Sequence, residues 1–576
     1  MTGAGRCWAP RAGVVELELG GRRRAMTPVG DGWWGPTGRA PEHGEDYAFV
    51  VDGEGPFPDP RSPWQPAGVH GPSRWLDHGR FPWSDHGWRP PPLAAGLVYE
   101  LHVGTFTPGG TFDAVIGRLD HLRELGVSHL ELMPVAEFPG DRGWGYDGVD
   151  LYAPHHAYGG PEGLKRLVDA CHGAGLAVLL DVVYNHLGPD GNYLARFGPY
   201  FTDRYATPWG EAVNLDGPAS DQVRRFVVDN ALMWLRDYHL DGLRIDAVHA
   251  IVDTSAIHLL EQLASEVGEL AAHLGRPLVL VAESDLNDPR VVRPPSLGGW
   301  GLDAQWNEDF HHALHAVLTG ERDGYYADFG AVADLAAVLQ RGFLLDGRTS
   351  SYRRRRHGRP AAGLSGHRFV GCLQNHDQVG NRARGERIGH LVDPALARVG
   401  AALVFTSPFT PLLFQGEEWG ASAPFQYFTD HHDQALAEAV RRGRRREHAA
   451  FGVAPEEVPD PQDPETFARS RLDWDELGAE PHRSMLEWTR ALARLRRRRP
   501  ELTDGRMDRL RTEVDEARRR LRIERGAVTV CANLGAEPWT APVAADAVLL
   551  LASDPGVSLE AGEVRLPPRT VAVLAP

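Results

Sequence analysis

Lysine is almost missing from this chain of 576 residues: Lys165 is the single one, and the rest of the basic charge is arginine. That is a property of composition and identifies no function. Cysteine is scarce as well. Cys7, Cys171, Cys372 and Cys531 lie far apart and form no Cys-x-x-Cys pair, so no zinc site of the usual spacing is expected, nor any other metal or cofactor. No window approaches 18 consecutive apolar residues, which excludes a membrane-spanning helix. The stretch Met1 to Pro10 lacks the apolar run of a signal peptide, so the expected location is cytoplasmic, with reduced thiols. Positive charge is in deficit: 61 Lys and Arg face 78 Asp and Glu, for a net charge of −17. That balance argues against nucleic acid or an anionic membrane as partner. It says nothing about a neutral ligand.

What remains is an ordinary globular composition, 42% hydrophobic and 24% charged, in a chain long enough for three or four domains. Residues 1–92 read as a small β-sandwich. Alternating segments such as Val14–Leu19 and Asp46–Asp52 are separated by Gly, Pro and Asp turns, and Arg89-Pro-Pro-Pro92 closes the region. From 93 to 500, apolar runs alternate with helical patterns, as β/α units of a parallel sheet do. Candidate strands are 98–103, 129–134, 177–183, 242–246, 278–283, 303–306, 369–374 and 402–406, the eight that a closed (β/α)8 TIM barrel needs. Thr111 caps a helical stripe running to Leu125 that Gly126 ends, and Ser255 precedes a stripe from Ile257 to Leu270. Two irregular insertions, 187–221 and 425–480, interrupt the barrel. Residues 501–576 return to a β pattern and read as a C-terminal antiparallel domain.

Three carboxylates stand at the ends of candidate strands. Asp246 lies in Gly-Leu-Arg-Ile-Asp-Ala-Val (242–248), Glu283 in Leu-Val-Leu-Val-Ala-Glu-Ser (278–284), and Asp377 in Leu-Gln-Asn-His-Asp-Gln (373–378). A parallel barrel gathers such strand ends on one face, where barrel enzymes do their chemistry. Retaining glycoside hydrolysis needs two carboxylates about 5 Å apart, one nucleophile and one acid. A single strand-end acid commonly only caps the next helix; three in these contexts point to a site.

Four short signatures occur in order: Asp-Val-Val-Tyr-Asn-His (181–186), Gly-Leu-Arg-Ile-Asp-Ala-Val-His (242–249), Val-Ala-Glu-Ser (281–284) and Gln-Asn-His-Asp-Gln (374–378). With them the chain resembles the α-amylase-type (family 13) glycosidases. Longer cues at 282–290, 303–315, 324–330 and 375–382 resemble the subgroup that acts on maltooligosyl trehalose.

The resemblance implies an enzyme that cleaves the α-1,4 bond next to the trehalose end of that substrate. It would release trehalose after a maltooligosyltrehalose synthase has made the substrate. Asp246 is then the expected nucleophile, Glu283 the acid/base, and Asp377 the acid that grips sugar hydroxyls. Arg244, two residues before Asp246 and on the same side of the strand, would orient it. His186 and His376 match the family's sugar-binding histidines, and Tyr146 its stacking tyrosine. His249 would reach the leaving-group side. Trp306, Asn307, Glu308 and Asp309, after the sixth strand, together with Gln378 and Asn381, complete the expected substrate-binding set. Asn185, a calcium ligand in some relatives, reads here as a structural hydrogen bonder, because the 187–221 insertion is short. Tyr325, Tyr326, Phe425 and Phe428 are candidates for the rim. The alternatives are a 1,4-α-glucan branching enzyme and a non-catalytic glucan-binding protein on the same fold.

Overall fold

The computed structural model describes residues 3–207, 210–449, 452–560 and 562–576. The expected N-terminal domain, both insertions and the C-terminal domain each include a position or two outside that set. Near the N-terminus, Val15 and Leu17 are buried while Glu16 and Glu18 are not, the period-2 signature of a strand with one face covered. Seven strands there form one antiparallel sheet, six along a single path and the short Ser73–Arg74 paired beside Asp46–Val51. The long strand Arg22–Gly30 pairs with Val15–Leu19 through its first half and with Trp33–Pro36 through its second, so it joins the two ends of the sheet.

The barrel closes with eight parallel strands in sequential order: β1 Val98–Leu101, β2 His129–Leu132, β3 Ala177–Val182, β4 Gly242–Ile245, β5 Val279–Ala282, β6 Ala304–Trp306, β7 Phe369–Cys372 and β8 Thr410–Phe414. Seven coincide with the expected strands. The eighth does not: residues 402–406 lie in the helix Pro394–Thr406. Its run Ala401-Ala402-Leu403-Val404-Phe405 is wholly buried, and a continuous apolar run carries no period by which to tell helix from strand. The true strand contains Pro411, which reads as a strand breaker in sequence.

The helical stripes also need correction. Thr111 does cap, accepting from the Ala114 amide, but the expected single helix is two, Phe112–Ile116 and Leu119–Leu125, and Gly126 ends the second with φ 98°. The helix after β4 is Leu259–Leu274 with His258 as N-cap, so Ser255 and the exposed Ile257 lie outside it.

The 187–221 insertion holds a short helix, Leu194–Phe197, and a hairpin of Phe201–Thr207 with Gly210–Val213. The C-terminal region is an antiparallel five-stranded sheet beside a three-stranded one. It is tied to the barrel by buried Arg525 at the C-terminus of helix Pro394–Thr406, beside Arg496 of the barrel's own helix His482–Arg498. Arg525 donates to the Thr406 and Ser407 carbonyls (both 2.8 Å), and Arg496 to those of Phe405, Ser407 and Phe409. These guanidiniums satisfy carbonyls that a helix end leaves without partners.

Candidate active site

Strands β4 and β5 are neighbours, so the residues that follow them, Asp246 and Glu283, emerge side by side. The backbone ladder continues past both strands: Asp246 N–H donates to the Val182 carbonyl (3.0 Å) and Glu283 N–H to that of Ile245 (3.0 Å). Each acid therefore starts from a fixed backbone position.

Arg244 is fully buried between them. Its Nη1 donates to Asp246 Oδ1 (2.9 Å) and to both oxygens of Asp181 (2.8 and 2.7 Å), while Nη2 lies 3.0 Å from Glu283 Oε2. Three acids share one guanidinium, a fork suited to carboxylates. The other oxygen of Asp246 accepts from Asn185 Nδ2 (2.7 Å), the structural bonding expected of Asn185. Glu283 Oε2 accepts from the Ala247 amide (2.8 Å), and burial raises the carboxyl above the ordinary glutamate range, with Arg244 opposing and Asp246 reinforcing. Ala247 sits at φ 39°, a strained left-handed conformation for a residue with a Cβ, directly between the two acids.

Asp377 opens the short helix His376–Gly380 after β7; it is partly exposed and accepts from Asn381 Nδ2 (3.0 Å). Asn381 thus acts through Asp377. His376 is buried and doubly held. Glu100, the third residue of β1, accepts hydrogen bonds from its Nδ1–H and its amide, and Nε2 faces the Tyr146 hydroxyl at 2.7 Å. Burial disfavours the imidazolium, but Glu100 and Asp377 outweigh it and raise the ring to about 9. Tyr146 passes its own proton toward Asp181 (2.6 Å) and lies nearly parallel to the His376 ring. Asp181 is pushed up to about 7 by burial, against the pull of Arg244. His186 bonds the Asn185 side chain and the Tyr146 carbonyl, and burial lowers it. Both histidines therefore brace the pocket through protein hydrogen bonds.

The segment after β6 divides. Trp306 is buried under Arg244, whose guanidinium carbon is 4.3 Å from the ring centroid, so it is a platform for the arginine and not for a sugar. Asn307 caps helix Glu308–Thr319 through the Phe310 amide and donates to the Gly342 carbonyl (2.8 Å). Asp309 accepts from the Leu344 and Leu345 amides (2.7 and 2.8 Å). Asn307 and Asp309 are thus committed to the backbone, whereas Trp306 Nε1 is buried without a partner. Glu308 differs. It makes no protein hydrogen bond among the described residues, and its carboxyl is raised far above the usual range by burial and by the charges of Glu283, Asp285 and Asp377. It faces the acids.

His249 is exposed at the mouth, near enough to Glu283 for its charge to favour the carboxylate. Gln378 has a buried Oε1 without a partner. Phe425 and Phe428 are fully buried with Trp144 and belong to the core rather than the rim, and Tyr326 is buried too; Tyr325 is half-buried. Asp181 and Glu100 were not among the expected site residues. Asp181 opens the first signature, which could have flagged it; Glu100 follows only apolar neighbours and carries no local signal.

A closed parallel barrel with acids at the ends of β4, β5 and β7 defines an α-amylase-type glycosidase, and the alpha amylase catalytic-domain family matches residues 73–205. A domain family of unknown function matches residues 505–573. The chain is 53% identical to the malto-oligosyltrehalose trehalohydrolase of Arthrobacter ramosus, over 93% of each chain. It is 46% identical to that of Saccharolobus solfataricus over 81% of each. A solved Salmonella typhimurium structure, provisionally described as an alpha amylase, is 40% identical, with TM-score 0.91 over 99% of this chain and 97% of that one. The chain belongs to the malto-oligosyltrehalose trehalohydrolase family. A branching enzyme of Photobacterium profundum is more distant, at 32% identity over 53% of this chain and 48% of its own.

Proposed function

We propose that this protein hydrolyses the α-1,4 bond joining trehalose to a maltooligosaccharide, by a retaining two-step mechanism. The observation that carries the chemistry is the single Arg244 guanidinium held between Asp246 and Glu283, which suits carboxyls about 5 Å apart. Asp246, held by Arg244 and Asn185, attacks the anomeric carbon of the last maltooligosyl glucose. As that bond forms, the glycosidic bond breaks, and Glu283 gives its proton to the departing trehalose oxygen. Water then enters. Glu283 takes its proton, the oxygen bonds the anomeric carbon, and Asp246 leaves as carboxylate. Asp377 grips sugar hydroxyls through bonds that strengthen in the transition state. Burial raises the Glu283 carboxyl above the ordinary glutamate range, so it holds its proton more readily, as the first step requires.

Glu308 supplies the polar group on the leaving-group side, where two glucoses linked 1,1 must fit. The family likeness supports this substrate over a glucan acceptor. The same likeness supports a place in trehalose biosynthesis after a maltooligosyltrehalose synthase. No helix of the described residues is long and apolar enough to cross a membrane, and all four cysteines are free, which supports cytoplasmic work with reduced thiols.

Product analysis after incubation with maltotetraosyl trehalose and, separately, maltohexaose tests the reading. Trehalose and maltotetraose are expected from the first substrate, with far slower cleavage of the second. Comparable rates on both, or transfer to a glucan, would remove it.

A further inference from the structure

Away from the catalytic acids, three segments distant in sequence meet: the turn at 67–71, the loop 188–193 that follows β3, and the loop 430–433. His70, Asp190 and His432 bring one ligand atom each to this meeting point, all within 4.8 Å of one another. We propose that they form a surface site for a divalent transition metal of the zinc type, a clip joining the N-terminal region to two loops of the barrel.

The donor set argues for the metal class. Two imidazoles and one carboxylate suit zinc and its neighbours, whereas calcium and magnesium want oxygen alone. Ligands about 2.0–2.2 Å from a tetrahedral ion stand roughly 3.3–3.5 Å apart. His70 Nε2 is already 3.1 Å from Asp190 Oδ1, and His432, which is exposed, has the freedom to close the remainder. The site is also oriented from outside. The Tyr193 hydroxyl holds His70 Nδ1 at 2.7 Å and so leaves Nε2 to face the ligand position, an arrangement common behind metal-bound histidines. Asp190 Oδ2 is buried and has no hydrogen-bond partner, an orphaned carboxylate oxygen beside the same position.

The backbones are pressed together in a way that fixes these groups. Gly191 sits at φ 83°, and a Cβ there would meet Val69 Cγ2 at 2.4 Å, so the first two loops touch through a glycine. The loop bearing His432 is pinned by Asp430, which accepts from the Asp141 amide (2.9 Å) and pairs with Arg142 (2.7 Å). The other His/Glu cluster, Glu137 with His155 and His156, differs: its carboxylate already accepts the His156 amide and Nδ1.

No spacing in the sequence announces the site, because the three ligands come from three separate segments. The competing account is a plain His70–Asp190 hydrogen bond with His432 nearby by chance.

The test is titration of the full-length protein with zinc chloride by calorimetry, with cobalt substitution as a spectroscopic readout. The expected result is one zinc per chain at micromolar affinity, visible bands of low-coordinate cobalt, and a zinc-dependent rise in Tm. His70→Ala, Asp190→Asn and His432→Ala should each weaken binding by about tenfold or more and abolish the Tm response. His273→Ala, an exposed histidine on the outer helix Leu259–Leu274, should change neither. Circular dichroism confirms that each variant is folded. Zinc binding that survives the His70/Asp190/His432 triple variant, or no binding by roughly 100 µM zinc, overturns the proposal.

Discussion

The amide of Ala247 donates to Glu283 Oε2 at 2.8 Å, so the residue that follows Asp246 in the chain holds the neighbouring strand's acid in place. The bond needs Ala247 at φ 39°, and that strain is tolerated because Val248 N–H also binds the Glu283 carbonyl (3.0 Å). Asp246 and Glu283 are thus coupled twice, through this turn and through Arg244. A change at either acid is therefore best read against the behaviour of the other.

Asp246→Asn should abolish turnover while the protein stays folded, since Arg244 keeps its 2.7 Å pairing with Asp181. Loss of a covalent nucleophile costs several powers of ten in kcat, far more than one binding contact. Steady-state rates on maltooligosyl trehalose check this. Retention of more than roughly a tenth of the wild-type rate would show that Asp246 is not the nucleophile.

Glu283→Gln should recover part of its rate on an aryl α-maltooside with a good leaving group, because such a group departs with little protonation. Asp246→Asn should not recover. The pair of rate ratios, activated over natural substrate, decides between the roles; equal ratios would reverse the assignment.

Glu308 and Asn307 are adjacent but do different things. Glu308→Ala should lower kcat/KM for maltooligosyl trehalose more than for plain maltooligosaccharides, with Tm little changed. Asn307→Ala removes the N-cap and leaves the Gly342 carbonyl unpaired, a loss of about 1–3 kcal/mol. It should lower Tm and harm both substrates alike. If Glu308→Ala behaves as Asn307→Ala does, Glu308 leaves the site.

His376 carries a pH dependence of known sign. Its folded value, about 9, lies above the ordinary value for histidine, so the imidazolium contributes stability below about pH 6.5 that is lost as pH rises through 9. Tm measured from pH 6 to 10 should fall between about pH 6.5 and 9 and level off above. In Glu100→Gln the fall should be smaller and level off at a lower pH, because the charge facing Nδ1 is gone. An unchanged profile in that variant would separate the histidine's titration from Glu100.

The sequence by itself determined the barrel, the three acids at its strand ends and the family, because a β/α repeat and strand-end motifs are local patterns that survive without any knowledge of contacts. Seven of the eight strands were legible for that reason, and Asp246, Glu283 and Asp377 stood at their ends. Only the tertiary structure decided what long-range contact decides. Residues 402–406 became helix because burial on every side erases the period, and the strand moved to Thr410–Phe414 despite Pro411. Asn307 and Asp309 bond the Gly342 carbonyl and the Leu344 amide, partners 35 residues away that no local pattern announces. Glu100 entered the site from β1, 276 residues before His376, since barrel closure sets strand β1 near β7. A hydrogen bond between groups so far apart in the chain leaves no spacing to read, and only the closed barrel brings them together.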